Sequence, residues 1–386
     1  MRSGTPEFRS NRLKAAREAR SLTGAALAEL AGVTRSAISQ YERGEQTPSP
    51  AVLQRIATAL NLPARHFCLD TIEVSAPVFY RSFASALKRS RLRAERRLEW
   101  LQEIVQFLAN CVEFPKVNIP SVDLGSDVLS LSDDRIEDIA TTVRRAWGLG
   151  DGPISNVVRL AENNGIIAAR QFFDTKKLDA FSCWQHVQKN PLVVLSTDKD
   201  CAVRSRFDLA HEIGHLVLHR DIQAGRLTNK DDFKRIEAQA NRFAGAFLLP
   251  AKTFLRELFS LTPEAFLAQK ERWKTSVALM VKRCESLGVF NEEMGHRLWI
   301  NLGRRGWRTR EPLDDSLEIE QPMFLSRSFE LLLSTGPTAR DHILSQLPWS
   351  ASEIEAIAGL VDGILDAPLA EDPDFSPRIL RFPNAG

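Results

Sequence analysis

The segment AHEIGHLVLH, residues 210–219, places two histidines four residues apart. If the segment is helical, His211 and His215 lie on one face, so both imidazoles can bind the same ion. Zn²⁺ in proteins takes tetrahedrally arranged ligands at about 2.0–2.1 Å, and this pair would supply two of them. Glu212 would face the open coordination position, where a carboxylate can accept a proton from water. The spacing therefore predicts a catalytic Zn²⁺ site with Glu212 as the general base.

A third ligand is expected from the following helix, IEAQANRFAGAFLLP at 236–250. Glu237 read alone would be a solvated helix glutamate, but the HExxH motif before it makes it the predicted third ligand. Asn241, one turn further on, is predicted to hydrogen-bond the outer nitrogen of a zinc histidine. His219 could be a transition-state donor, a group behind the ligands or a helix C-terminal cap, and a capping or packing role is favoured.

Residues 21–63 have the pattern of a helix-turn-helix. Gly32 allows a tight turn, Thr34 is a predicted N-cap for a second helix, and Ile38 is that helix's core residue. In this geometry the second helix enters the DNA major groove with its N-terminus first. The alternative is a plain helical bundle with incidental polar residues. The predicted DNA contacts are Arg35, Ser36, Ser39, Gln40 and Arg43.

The sequence as a whole predicts an α+β multidomain protein. Its parts are an all-α helix-turn-helix head, a peptidase domain with a small β-sheet and the HExxH helix, and a helical C-terminal region. Strands are predicted in 165–173, 180–184 and 191–196, and one long helix over 80–112. Further helices are predicted at 133–147, 154–163, 204–219 and 233–248, with two or three short ones in 262–290 and a helical segment in 311–370. The predicted domains are 9–69 (helix-turn-helix), 79–122 (basic helical connector), 130–255 (zinc peptidase), 260–310 (helical extension) and 311–386 (acidic C-terminal region with a flexible end).

Composition narrows the class of protein. Residues 1–100 carry 17 Lys/Arg against 9 Asp/Glu, whereas residues 311–386 carry 4 against 14. A basic head can meet a phosphate backbone, although both regions could simply be solvated surface. The five scattered cysteines argue against a disulfide framework. No apolar run is long enough for a membrane span and no secretory signal is evident, so a cytoplasmic protein is predicted.

Around these motifs the sequence resembles two known families. GVTRSAISQYERGEQTPS resembles the XRE or phage-repressor helix-turn-helix family, although Gly24-Ala25 stand where that family usually has Gln-Glu. The stretches RSRFDLAHEIGHLVLH, EAQANRFAGAFLLP and DAFSCW resemble the ImmA/IrrE metallopeptidases. That resemblance implies His211, His215 and Glu237 as zinc ligands, Glu212 as general base, and cleavage of a helix-turn-helix repressor after stress or DNA damage.

Two functions remain open from the sequence. The first is a DNA-binding regulatory peptidase whose substrate is a helix-turn-helix repressor or the chain itself. Its substrate would add as a strand beside AFSCW, at Phe181, Ser182 and Cys183. The second is a transcriptional repressor or antitoxin in which the zinc domain senses a ligand or stabilises the chain. Expected partners are operator DNA and the protein substrate, a homodimer is left open, and no membrane is expected.

Overall fold

The structure is a computed structural model, and it describes residues 4–70, 78–80, 88–184 and 189–366. Seventeen α-helices and one four-stranded sheet lie in these ranges. The N-terminal head holds four helices: α1 (Ser10–Ala19), α2 (Gly24–Ala31), α3 (Arg35–Glu42) and α4 (Pro50–Leu60). Within the ranges given, no helix combines the length and the apolar character that crossing a membrane requires.

The middle of the chain builds the sheet and the helices that cover it. Its strands are β1 (Val78–Tyr80), β2 (Ile167–Gln171), β3 (Ala180–Cys183) and β4 (Leu192–Ser196). Its helices are α5 (Lys88–Ala109), α6 (Asp133–Ala146), α7 (Val157–Asn163), α8 (Ala202–Leu218), α9 (Ala224–Thr228), α10 (Lys230–Leu248), α11 (Ala251–Glu257), α12 (Pro263–Trp273), α13 (Val277–Ser286) and α14 (Glu292–Arg304). The C-terminal region adds α15 (Phe324–Leu333), α16 (Ala339–Gln346) and α17 (Ala351–Ala358).

The sheet has the order β1-β3-β4-β2. β2 and β4 run parallel, while β3 is antiparallel to both β4 and β1. Side chains alternate across the sheet, as the period of two requires. Phe181 and Cys183 face one hydrophobic core, which is shared with the head, α5 and the C-terminal helices. Ala180 and Val193 face a second core, which is shared with α6, α8, α10 and α13.

Most of the predicted elements are confirmed, with shifted ends. All three predicted strands form, and the helices predicted at 133–147, 204–219 and 233–248 appear as α6, α8 and α10. The helix predicted at 154–163 begins only at Val157, because Asn156 is extended and caps it by accepting a hydrogen bond from the Arg159 amide. In the C-terminal region, α15–α17 are helical, but the stretch 311–323 is not.

The helix predicted over 80–112 is wrong at both ends. Tyr80 belongs to β1, the last helical residue is Ala109, and α5 starts no earlier than Lys88 in the described chain. Tyr80 is taken into the sheet because it pairs with Phe181, a partner that sequence periodicity cannot reveal. Residues 71–77, residues 81–87 of the predicted helix and the C-terminal segment 367–386 lie outside the described residues.

Candidate metal centre and DNA-binding helix

Two helices, α8 and α10, bring the candidate metal ligands together by crossing closely. Gly214 on α8 permits the approach, because a Cβ there would stand 3.1 Å from the Phe243 ring and 3.3 Å from the Ala240 backbone. With the helices this close, Glu237 on α10 reaches the face of α8 that carries His211 and His215. Among the described residues, these three side chains are the group whose ligand atoms converge as a metal ion would require.

The distances between the three donors fit a tetrahedral ion. The two Nε2 atoms lie 3.0 Å apart, and the Glu237 oxygens lie 3.5 Å from His211 Nε2 and 3.3 Å from His215 Nε2. Bonds of about 2.0–2.1 Å at tetrahedral angles separate ligand atoms by about 3.3 Å. Two imidazole nitrogens and a carboxylate are also a donor set that Zn²⁺ takes at catalytic sites. The residues present therefore fit the predicted ion.

The charge of the cluster also suits a cation. Burial opposes ionisation of Glu237, yet the two imidazoles, in the protonated form that a bound cation would replace, hold the pKa of its carboxyl group well below its usual range. Both imidazoles are buried, while the Glu237 side chain is 20% exposed, so solvent reaches the centre from the α10 side. The centre thus has a carboxylate at its open side.

The groups around the ligands orient them. Asn241 Oδ1 lies 3.0 Å from His211 Nδ1, so it accepts the outer N–H and leaves Nε2 facing the centre. His219 Nδ1 lies 3.0 Å from His215 Nδ1. His219 is fully buried, and burial lowers its pKa to about 3, so it is neutral. It thus bonds the outer nitrogen of His215. It also stands at the C-cap position of α8, and a capping or packing role is what the sequence predicts.

Glu212 is buried beside the ligands and contacts the sheet. Ser182 on β3 donates a hydrogen bond from Oγ to Glu212 Oε2 over 2.6 Å. This contact is not predicted from the sequence, where Ser182 is assigned only to a strand that pairs with substrate. The signal that could have found it is the alternation in AFSCW, which sends Ser182 to the opposite face from Phe181 and Cys183.

Phe181 and Cys183 lie away from the metal centre. The Phe181 ring packs against Phe173 with centroids 5.5 Å apart, and the Cys183 thiol accepts a hydrogen bond from Gln102. Burial raises the pKa of the Cys183 thiol to about 12, so it stays protonated. The backbone edge predicted to take a substrate strand is also filled, since β1 pairs there with Val78 opposite Cys183. β3 therefore has neighbours on both sides, so the predicted pairing with a substrate strand would require displacement of β1.

The head has the predicted turn geometry. Gly32 adopts a positive φ of 62°, and Thr34 Oγ1 accepts a hydrogen bond from the Ala37 amide at the start of α3. Ile38 is buried in the head, so the opposite face of α3 points outward. Arg35, Ser36 and Arg43 are exposed there, and Ser39 and Gln40 are half-buried. Arg43 also bonds Ser39 and Glu45, which orient its guanidinium.

Comparison with known proteins finds a family match for each of the two regions. Residues 161–285 match the model of the IrrE N-terminal-like domain, a peptidase family, and residues 13–67 match a helix-turn-helix family model. This chain unites an XRE-type helix-turn-helix domain with an IrrE-like peptidase domain. Among curated proteins it is similar to the HTH-type transcriptional regulator SutR of Escherichia coli (strain K12), with 42% identity over 60 residues. That match covers 16% of this chain and 34% of the relative, so the chain spans about a third of that protein's length.

Proposed function

We propose that this protein is a DNA-binding, zinc-dependent regulatory peptidase that cleaves a helix-turn-helix repressor or its own chain. The observation that carries the proposal is the convergence of His211, His215 and Glu237, with Glu212 held beside them by Ser182. A structural metal needs four protein ligands, whereas a catalytic metal keeps three and an open position. Three ligands with an adjacent carboxylate favour catalysis over a purely structural ion.

The chain's own residues have separate roles in this hydrolysis. Zn²⁺ held by the three ligands would act as a Lewis acid on the scissile carbonyl and make a water molecule more acidic. Glu212 accepts the proton of the attacking water and later delivers it to the leaving amine. Ser182 holds the Glu212 carboxylate in position, and Asn241 and His219 hold the two imidazoles.

The helix-turn-helix domain favours a regulatory role. Exposed polar residues along α3 suit an approach to the major groove, and the name of the matched relative describes a transcriptional regulator. The pairing of β1 with β3 also favours an enzyme that is latent towards generic protein, because the substrate strand would first have to displace β1. The rival function, a repressor or antitoxin with a sensing metal domain, shares the DNA-binding part but requires no proteolysis.

The test compares the full-length protein with Glu212→Gln, both loaded with zinc. Each is incubated with casein and with a purified helix-turn-helix repressor, with and without DNA. We expect the wild type to cleave the repressor or itself and to leave casein nearly intact, and Glu212→Gln to bind zinc but lose ~10²–10⁴ in rate. Equal cleavage by the two proteins would remove Glu212 from catalysis. Absence of any cleavage by the zinc-loaded wild type would favour the rival function.

A further inference from the structure

A buried chain of polar groups runs behind the metal centre. His215 Nδ1 lies 3.0 Å from His219 Nδ1, and His219 Nε2 lies 3.0 Å from Gln239 Oε1. Gln239 Nε2 in turn donates to the backbone carbonyl of Val128 over 2.7 Å. All three side chains are buried. This series of hydrogen bonds thus connects a candidate ligand on α8 to α10 and to the short 3-10 turn at Val128–Ser130.

The direction of these hydrogen bonds follows from the last group. A backbone carbonyl only accepts, so Gln239 must present its NH₂ group to Val128 and its oxygen to His219. An amide oxygen also only accepts, so the His219 hydrogen lies on Nε2. A neutral imidazole has a single N–H, which leaves a lone pair on His219 Nδ1. His215 must then donate from its own Nδ1.

The consequence for His215 is a defined tautomer. With its hydrogen on Nδ1, His215 presents the Nε2 lone pair to the space between His211 and Glu237. If the hydrogen bond between the two Nδ1 atoms ran the other way, His215 would carry its hydrogen on Nε2, where it would exclude a metal ion. The orientation of the Gln239 amide therefore decides whether His215 can act as a ligand.

We infer that Gln239 is a positioning residue for the metal centre, and that it acts through His219 to keep His215 in its metal-binding tautomer. The inference rests on the zinc site of the proposed function and extends it to a residue outside that site. It also separates the two histidine ligands. Asn241 bonds His211 directly, whereas the buried amide of Gln239 acts on His215 only through His219.

A purely structural role for Gln239 would be to tie α10 to the turn at Val128. Two substitutions separate the roles. Gln239→Leu removes both the acceptor for His219 and the donor for Val128. Gln239→Glu loses the donor but keeps an acceptor oxygen facing His219. Gln269→Leu is the matched control, because Gln269 donates to the Glu257 carbonyl over 3.0 Å and is not part of the metal centre.

The experiment measures zinc affinity by chelator competition and histidine tautomers by ¹H–¹⁵N correlation in zinc-free, histidine-labelled full-length protein, with His219→Asn for assignment. We expect wild-type His219 to be protonated on Nε2. Gln239→Leu should weaken zinc binding about 10–100-fold, while Gln239→Glu and Gln269→Leu stay close to the wild type. A wild-type His219 protonated on Nδ1, or a zinc affinity in Gln239→Leu equal to the wild type, would overturn the inference.

The two readouts keep this inference apart from the proposed function. If Gln239→Leu does not fold, the tautomer of the wild type and the affinity of Gln239→Glu still decide the question. If Gln239→Glu loses zinc as strongly as Gln239→Leu, the contact with Val128 is what matters, and the positioning role is wrong. If the wild type binds zinc as inferred but cleaves nothing, only the peptidase function fails.

Discussion

The two imidazoles of the metal centre are held by partners of different exposure. Asn241, which bonds His211, is an exposed residue, while His219 is fully buried behind His215. Hydrogen bonds to the outer nitrogens orient ligand histidines and commonly contribute tenfold or more to metal affinity. The centre's affinity for a metal ion is therefore expected to depend on α10 as much as on the HExxH helix.

Zinc content tests the ligand set at the level of one residue. We expect the purified protein to hold close to one zinc per chain and His211→Ala to lose most of it, because two ligands cannot close a tetrahedral site. Metal analysis after dialysis measures this. His296→Ala is the control, since His296 is an exposed histidine on α14, away from the centre. Undiminished zinc in His211→Ala would contradict the assignment.

Arg35 tests the DNA contacts in the same way. It is exposed on the first turn of α3, where a guanidinium can contact a guanine edge in the major groove. Arg35→Ala should lose ~1–3 kcal/mol of discrimination between operator and mismatched DNA in a polarisation titration. Binding of the wild type should also weaken steeply with salt.

The control removes the same charge elsewhere. Arg297 is 72% exposed on α14, and Arg297→Ala should leave sequence preference unchanged. The contact is refuted if Arg35→Ala keeps the full preference of the wild type. Gly24 and Ala25, at the start of α2, stand where the family usually has Gln-Glu. Because a phosphate-contacting side chain is then missing, a lone domain is expected to bind DNA with modest affinity.

The short strand β1 covers one edge of β3. It lies at the edge of the sheet and pairs with Phe181, Ser182 and Cys183, the backbone predicted to receive the substrate. A substrate that adds by β-strand pairing competes with β1 for the same N–H and C=O groups. Three paired residues are few enough for such competition, since a net backbone hydrogen bond stabilises by only about 0.5–1.5 kcal/mol.

Proline substitutions in β1 test this competition. Consecutive N–H groups of an edge strand point to opposite sides, so only one of Phe79 and Tyr80 donates towards β3. Of Phe79→Pro and Tyr80→Pro, the one that removes a ladder donor should raise the rate of repressor cleavage about two- to tenfold. The other serves as its control. Identical rates in the wild type and both variants, measured with zinc bound, would show that β1 does not limit access.

Two acidic residues of the C-terminal region form ion pairs with distant parts of the chain. Glu353 on α17 is buried and pairs with Arg20 in the head and with Arg97 on α5. Glu320 pairs with Arg206 on α8 and accepts the amides that start α7. The basic helix α5 is thus paired with the acidic C-terminal region at Arg97. These acids are structural partners rather than only solvated surface, and they join the head to the peptidase part.

The buried imidazole of His66 is expected to make the free energy of unfolding depend on pH. Its Nδ1 donates to the Pro348 carbonyl over 2.9 Å, and its ring packs edge-on against Trp100 and Trp349. Burial, with the nearby Arg12 charge, lowers the pKa of His66 to about 3. As pH falls below about 6.5, the His66 imidazole therefore takes up a proton in the unfolded chain but stays neutral in the folded chain. The stability that His66 confers is present above about pH 6.5 and is lost as pH falls towards 3.

His66→Asn tests the size of this effect. Asparagine can keep the donor to Pro348 but does not titrate. Between pH 7 and pH 5 the wild type should lose about 2 kcal/mol more unfolding free energy than the variant. Chemical denaturation in the presence of a chelator measures this without the complication of metal release. Parallel pH dependence of the two proteins would show that His66 does not carry the effect.

The sequence by itself determined the local features of this protein. Gly32, Thr34 and Ile38 specify the helix-turn-helix, because a turn conformation, a cap and a core contact depend on neighbours within a few residues. The spacing of His211 and His215 places them on one helical face for the same reason. Glu237 could be named because it follows on the next helix, and its function as a ligand stays a prediction.

Only the tertiary structure decided the contacts between distant segments. The pairing of β1 with β3, the hydrogen bond from Ser182 to Glu212 and the path from Gln239 to His215 all depend on which elements lie side by side. Hydrophobic periodicity shows which face of an element is buried, but it carries no information about the partner it is buried against. A sequence therefore reveals the ligands of such a site more readily than the groups that orient them.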